Sequence, residues 1–268
     1  MNLETLCNQV AELARETGGF IREERRNFRR DVIEFKGRND LVSYVDKEAE
    51  RRLVVRLRTL LPEATFITEE GTTGGSNERL PGYQWVIDPL DGTTNFVHNF
   101  PPYSTSIGLL HDGRPVLGVV YEVVADECFW AWEGGGAYLN GEHIRVSPEN
   151  DLVRALTITG FPYQMFDDLS RYLNIFTYFV KNTHGLRRLG SAAVDLAYVA
   201  AGRGEAFFEY NLKPWDVAGG VVLVREAGGT VTDFSGGDDA VFGKQLIAAG
   251  PVHETMRRAI AERWFAAK

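Results

Sequence analysis

The sequence predicts an α/β protein, mixed α+β in its first half and α/β in its second. Three observations predict it. The chain opens on a long amphipathic pattern: Leu3, Leu6, Cys7, Val10, Leu13 and Ala14 recur at helical spacing. Strand-like runs then follow one another from residue 84 to residue 133, separated by turn residues such as Asp112-Gly113, and Asn140-Gly141 marks a further hairpin. After Ser147 the texture changes to alternating strand and helix patterns, which implies an α/β arrangement. At 268 residues the chain can bury a large core. No repeat or flexible linker separates the halves. The expected division is 1–147 and 148–268, as packed units rather than tethered ones.

Taken in order, residues 3–28 read as the first helix. Ser43-x-x-Asp46 is a capping-box pattern before Leu53, Val54, Leu57 and Leu60, and that helix stops at Pro62. Residues 65–69 and 84–88 read as strands, each ending in an acidic residue. The stretch between them, Gly71 to Gln84, reads as a surface loop. Ser104–Leu110, Pro115–Val124 and Glu127–Glu133 complete an antiparallel meander. In the second half strands are expected at Ala155–Thr159, Leu186–Leu189, Glu205–Glu209, Thr230–Asp233 and Leu246–Ala249. Helices are expected around Asp167–Lys181 and at Ser191–Ala201, Trp215–Ala227 and Val252–Phe265.

Composition narrows the function. The net charge of −8 argues against unaided, nonspecific nucleic-acid binding, which needs basic surface. A local exception is the run Arg22, Arg25, Arg26, Arg29, Arg30, whose interleaved glutamates fit a solvated helix face. The two cysteines, Cys7 and Cys128, show no metal spacing and suit a reducing compartment. No signal-peptide pattern opens the chain and no apolar run approaches membrane-spanning length, so a cytoplasmic location and no membrane partner are expected. Gly185 to Ser191 nearly spells a phosphate-binding loop but lacks its lysine, and Gly202-Arg-Gly204 precedes a strand rather than a helix. A nucleophile elbow and a paired-histidine zinc motif are both missing. His98 lies near the acidic motif described next but reads as packed or solvent-facing. Phe129, Trp130 and Trp132 read as sheet core.

The chemistry concentrates in Asp88-Pro89-Leu90-Asp91-Gly92-Thr93-Thr94-Asn95. Pro89 and Gly92 suit a short stiff turn, and two carboxylates on it converge at a cost unless a cation lies between them. Magnesium takes hard oxygen ligands, and the carbonyl of Leu90 is a natural addition. Thr93 to Asn95 read as a helix start whose amides favour a phosphate oxygen. The same residues also suit an ordinary Asp-Pro turn and helix cap. Glu69-Glu70, upstream, and Trp215-Asp216, downstream, supply further carboxylates.

Asp88 to Phe96 resembles the signature of the inositol monophosphatase family of magnesium-dependent, lithium-sensitive phosphatases. Trp215-Asp216-Val217-Ala218-Gly219-Gly220 looks like its second signature, Thr68-Glu69-Glu70-Gly71 matches its upstream acidic pair, and Gly190-Ser191-Ala192-Ala193 matches a fourth block. The blocks occur in family order over nearly the whole chain. The resemblance implies a layered α-β-α-β-α sandwich of the sugar phosphatase type. It implies that Glu69, Asp88 and the Leu90 carbonyl bind one metal, and that Asp88, Asp91 and Asp216 bind a second, with two or three Mg2+ ions in all and inhibition by Li+. Glu69 and Thr93 would orient the attacking water, making Glu69, Thr93 and Asp88 the catalytic set. Gly92 and Thr93 would offer amides to the phosphate. Asp91, Ser191, Ala192, Glu209 and Asp216 would line the substrate hydroxyls. The implied reaction is hydrolysis of a small polyol phosphate, foremost myo-inositol 1-phosphate, by metal-activated water. Fructose 1,6-bisphosphate and a nucleotide 3′-phosphate are the alternatives within the superfamily, and a regulatory protein that binds the transcription machinery is the alternative of another class. A homodimer is implied as well. The family also places an acidic group near Asp46 and a loop lysine near Lys36, although the spacing to Lys36 is one residue shorter here.

Overall fold

The computed structural model describes residues 1–28, 34–37, 40–75, 77–161 and 168–266. Helix α1 (Leu3–Asn27) starts at Asn2, whose side chain accepts from the Thr5 amide at 2.9 Å, and it buries Leu6, Cys7, Val10, Leu13, Ala14 and Ile21. Strands β1 (Glu34–Gly37) and β2 (Asp40–Val42) pair antiparallel. Three or four residues are too few to show an alternating pattern, so the sequence gives no strand signal here. Lys36 lies in β1, and its side chain is outside the described part, as are Arg29 and Arg30. Helix α2 (Tyr44–Leu60) carries the predicted capping box of Ser43 and Asp46.

The first sheet has strand order β3-β4-β5-β6-β7-β8-β9. Its strands are β3 (Thr65–Thr68), β4 (Tyr83–Asp91), β5 (Ser104–His111), β6 (Arg114–Glu122), β7 (Glu127–Trp132), β8 (Gly136–Leu139) and β9 (Glu142–Ile144). β3 and β4 are parallel and the rest antiparallel, so the predicted meander extends to β9. A short helix, α3 (Thr93–His98), follows β4. The loop between β3 and β4 is fastened to the second half of the chain: Arg79 pairs with Asp239 at 2.5 Å and lies 4.6 Å from the Phe242 ring centre.

The second sheet has the order β11-β10-β12-β14-β13, built from β10 (Leu156–Thr159), β11 (Gly185–Arg187), β12 (Ala206–Tyr210), β13 (Thr230–Thr232) and β14 (Gln245–Ala249). β11, β10 and β12 are parallel, but β14 is antiparallel to both of its neighbours. The expected strand–helix alternation breaks here because β13 and β14 are joined by a loop with no crossover helix, which permits only the antiparallel partnership.

The layers stack helix, sheet, helix, sheet, helix. α1 and α2 share one core with the outer face of the first sheet, where Cys7 and Cys128 are buried free thiols. α5 (Ala192–Ala200) and α6 (Pro214–Glu226) lie between the sheets in a second core that joins Val86 and Phe129 to Phe207 and Leu246. α4 (Leu169–Asn182) and α7 (His253–Trp264) close the far side through Tyr172, Phe179, Met256 and Ile260. The Arg22–Arg30 run is partly spent on the fold: Arg22 reaches Asp126 at 3.3 Å and Arg25 donates to Asn99 at 3.1 Å. Among the described residues, no helix is long and apolar enough to cross a membrane.

The contact between α6 and the first sheet sets the site. A Cβ on Gly118 would lie 2.1 Å from the Gly219 carbonyl oxygen, and one on Gly108 would lie 2.7 Å from the Ala218 Cβ. The helix backbone thus rests directly on β5 and β6. Gly219 of the Trp215–Gly220 motif serves this approach, while Gly220 lets α6 pack against Leu196 of α5.

Candidate active site

The Asp88–Asp91 segment is a strand with a bulge, where the sequence suggested a tight turn. β4 runs on to Asp91, pairing Asp88 with Ser106 and Asp91 with Ser104, so one extra residue sits on β4. Pro89 has no N–H to offer the ladder, and its carbonyl accepts from the Thr105 hydroxyl at 3.0 Å. Such bulges re-aim side chains at sheet ends. The sharp reversal comes one residue later, at Gly92, with φ +94°. The Asp88 carboxylate takes the Leu90 amide at 3.0 Å.

Asp216 arrives from the other half of the chain. It sits in the first turn of α6, where its carboxylate accepts from the Lys213 amide at 2.7 Å. The Ser106 hydroxyl donates to the Trp215 carbonyl at 3.3 Å, tying this turn to the residue paired with Asp88. Asp91 accepts from the Ser191 hydroxyl at 2.6 Å and from the Ala193 amide at 2.8 Å, at the start of α5. The amide of Asn95 donates to the carbonyls of Pro102 and Leu189, each at 2.8 Å, and so locks the Gly92–Asn95 segment against the Gly190–Ser191 segment. Thr93 Oγ1 lies 3.0 Å from both Asp46 Oδ1 and the Leu90 carbonyl oxygen. Asp46 is therefore more than a cap: its other oxygen serves Ser43 and this one meets Thr93.

The electrostatics bind these acids into one group. Asp88 is 2% exposed. Burial, then Glu69, Asp91 and Asp216, push its pKa well above the usual carboxylate range, and it shares a hydrogen bond with Glu69. Burial pushes Asp91 to about 6, against the opposing pull of Ser191, Ala193 and Arg188. Asp216 rises to about 7 through burial and the charge of Asp91. Glu209 rises to about 8 through burial, Asp216 and Asp91. Glu69, Asp91 and Asp216 thus bear on Asp88, and Asp91 and Asp216 on Glu209, with Ser191 and Ala193 holding Asp91; among the described residues, no contact places Ala192 with them. His98 is exposed, as expected.

Asp88 meets Glu69, with Asp91 and Asp216 bearing on it, and a set of hard oxygen donors of this kind fits a divalent ion. Among the described residues, no group of three or more His, Cys, Asp or Glu side chains is placed to hold a metal ion as it stands. The sequence reading missed Arg188, which opposes the raised pKa of Asp91 and Glu209, and Asp195, a buried acid one turn into α5. Arg188 was passed over with the failed phosphate-loop pattern. Asp195 had a visible signal: it is an acid inside the otherwise apolar run Ala192–Ala201.

These shifts carry a pH prediction. Each acid has a higher pKa folded than unfolded, so the folded chain holds extra protons from pH about 4 to about 8, and metal-free stability falls as pH rises across that window. With a chelator present, the thermal midpoint is expected to be higher at pH 5 than at pH 8. Added magnesium should close the gap by raising the pH 8 value. A midpoint that is flat or rises between pH 5 and pH 8 would contradict the coupling.

A model described as the inositol monophosphatase family matches residues 2–268. The Nus factor SuhB of Escherichia coli strain K12 is 42% identical over 253 residues, covering 93% of this chain and 92% of that protein. The chloroplastic phosphatase IMPL1 of Arabidopsis thaliana is 41% identical over 260 residues, covering 94% of this chain and 69% of that one. The solved structure of an IMPase from Thermotoga maritima superposes with a TM-score of 0.84 at 35% identity, covering 96% of each chain. The matches define the class first: this is a phosphatase with the layered fold of that superfamily. Within the class, the chain belongs to the inositol monophosphatase family.

Proposed function

We propose that the protein is a magnesium-dependent phosphomonoesterase acting on a small polyol phosphate, with myo-inositol 1-phosphate the leading substrate. The observation that carries the reading is the buried Asp88, hydrogen-bonded to Glu69 and pressed by Asp91 and Asp216. Glu69, Asp88, the Leu90 carbonyl, Asp91 and Asp216 would hold two or three ions. When bound, magnesium supplies charge neutralisation at the phosphoryl group and acidifies a water.

The chain's own groups do the rest. Thr93 Oγ1 is held between Asp46 and Leu90, which fixes its lone pairs, and with Glu69 it would orient the attacking water. The Gly92 and Thr93 amides face the phosphate in this reading. The Ser191 hydroxyl is spent on Asp91, so its contribution to the substrate would come from its backbone, beside Ala192. Glu209 would select the polyol, and Gly160 leaves room for it: a Cβ there would lie 2.0 Å from Glu209 Oε2.

A phosphate-release panel tests this, run with magnesium and then with lithium added. Turnover of inositol 1-phosphate, magnesium-dependent and lithium-inhibited, is expected. If inositol and glycerol phosphates were inert while fructose 1,6-bisphosphate or a nucleotide 3′-phosphate turned over, the substrate assignment would fall to those alternatives. The likeness to a Nus factor favours a second reading, a regulatory contact with the transcription machinery, alongside the phosphatase. Affinity capture with RNA polymerase components tests it, and no enrichment counts against it. A cytoplasmic homodimer completes the proposal, and sedimentation at monomer mass would remove that part.

A further inference from the structure

Helix α2 buries two carboxylates one turn apart. Asp46 and Glu50 stand at positions i and i+4, on the face that also buries Val45, Ala49, Leu53 and Leu57. An acid inside a buried stripe is penalised unless donors surround it. Asp46 finds Ser43 and Thr93.

Glu50, at 0% exposure, finds the loop that follows β3. Its Oε2 accepts from the Glu70 amide at 2.7 Å, and its Oε1 accepts from the Thr72 amide at 2.8 Å and the Thr72 hydroxyl at 2.7 Å. Gly71, at φ +66°, curls the backbone so that the amides on either side of it meet one carboxylate. On the other side, the Glu69 amide donates to the Ile87 carbonyl of β4 at 3.2 Å. Glu69 is therefore held between two anchors, β4 and the carboxylate of Glu50. Charge-assisted hydrogen bonds of this kind are the stronger sort.

We propose that Glu50 is a positioning residue of the phosphatase site: by gripping residues 70–72 it fixes the Glu69 carboxylate relative to Thr93, whose hydroxyl Asp46 holds from the same face of α2. One helix thus sets the spacing of the pair that orients the water. The inference rests on the reading of Glu69 and Thr93 given under Proposed function.

The test uses Glu50→Gln, which keeps the size but replaces one accepting oxygen with an NH2 that cannot accept from an amide. Turnover, kcat, is expected to fall about 10- to 100-fold, as when a group supporting a ligand is removed. KM should stay within about threefold. In the metal-free protein, hydrogen exchange at the residue 70 and 72 amides should quicken while the rest of the fold keeps its protection. The double variant with Glu69→Gln should be no slower than Glu69→Gln alone, because Glu50 acts through Glu69.

A wild-type kcat, unaltered exchange at those amides, or multiplying losses in the double variant would each overturn the proposal. Glu69→Gln separates the two levels: unchanged turnover there defeats the reading of Glu69 itself, whereas loss there with none in Glu50→Gln defeats only Glu50. Glu50→Asp serves if the amide variant does not fold. Its shorter carboxylate keeps the charge but reaches one of the two loop amides, and wild-type kcat in that folded variant would likewise overturn the proposal.

Discussion

Asp88→Asn is expected to lower magnesium-dependent phosphate release by about a thousandfold or more, a loss of about 4 kcal/mol of transition-state stabilisation. The same change should raise the thermal midpoint of the metal-free protein. Both effects have one cause. Asp88 is the most deeply buried of the four acids, hydrogen-bonded to Glu69 and crowded by Asp91 and Asp216. As a carboxylate it is destabilising until a cation arrives. As an amide it keeps the Oδ1 that accepts from the Leu90 amide at 3.0 Å, so the bulge survives, but the charge that would hold an ion is gone. The gain in midpoint should grow from pH 5 to pH 8, because folding must protonate Asp88 and that costs more as pH rises. Turnover within tenfold of wild type, or a midpoint lowered at pH 8, would remove Asp88 from the centre of the account.

Gly118→Val is expected to cost about 3 kcal/mol or more of stability, at the upper end of what overpacking does in a filled interior. A Cβ at this position would stand 2.1 Å from the Gly219 carbonyl oxygen and 2.8 Å from its carbon, both backbone atoms that cannot rotate aside. Gly219 is equally constrained, with the Ile107 carbonyl oxygen 3.0 Å from its own Cβ position. Relief requires lifting α6 off β5 and β6, and Asp216 rides on the first turn of α6. Magnesium-dependent activity should therefore fall with stability, even in the fraction that stays folded. Urea denaturation and turnover of the folded fraction measure the two effects. Gly19→Ala is the matched control: nothing lies within 4 Å of its Cβ position, and alanine favours the helix interior by about 1 kcal/mol. Equal stability in Gly118→Val and Gly19→Ala would show that the sheet–helix contact is not tight.

The candidate site was legible where chemistry dictates residue type. Four acids on three separate segments, one of them bracketed by Pro89 and Gly92, stand out because few other arrangements need hard oxygen donors at a strand end. Residues whose role is geometric were less visible. Gly219 and Gly220 stand out as part of a motif, but only packing explains them: Gly219 lets α6 approach the first sheet, and Gly220 lets it approach Leu196 of α5. Glu50 was lost in a helix rich in acids, although it falls on the same stripe as Leu53 and Leu57. Asp, Pro and Gly favour a turn over the Asp88–Asp91 segment. Pairing with β5 overrides that local preference and yields a bulge. In the second half strand positions were readable, but direction was not: the reversal at β14 is set by which connection lacks a helix. The β1–β2 pair was too short and too charged to show a pattern.

Whether Glu69, Asp88, Asp91 and Asp216 gather around divalent ions is decided by a crystal grown with manganese in place of magnesium. Anomalous density bounded by those four carboxylates and the Leu90 carbonyl is expected. Density elsewhere, with the four acids turned to separate faces of the molecule, would contradict it.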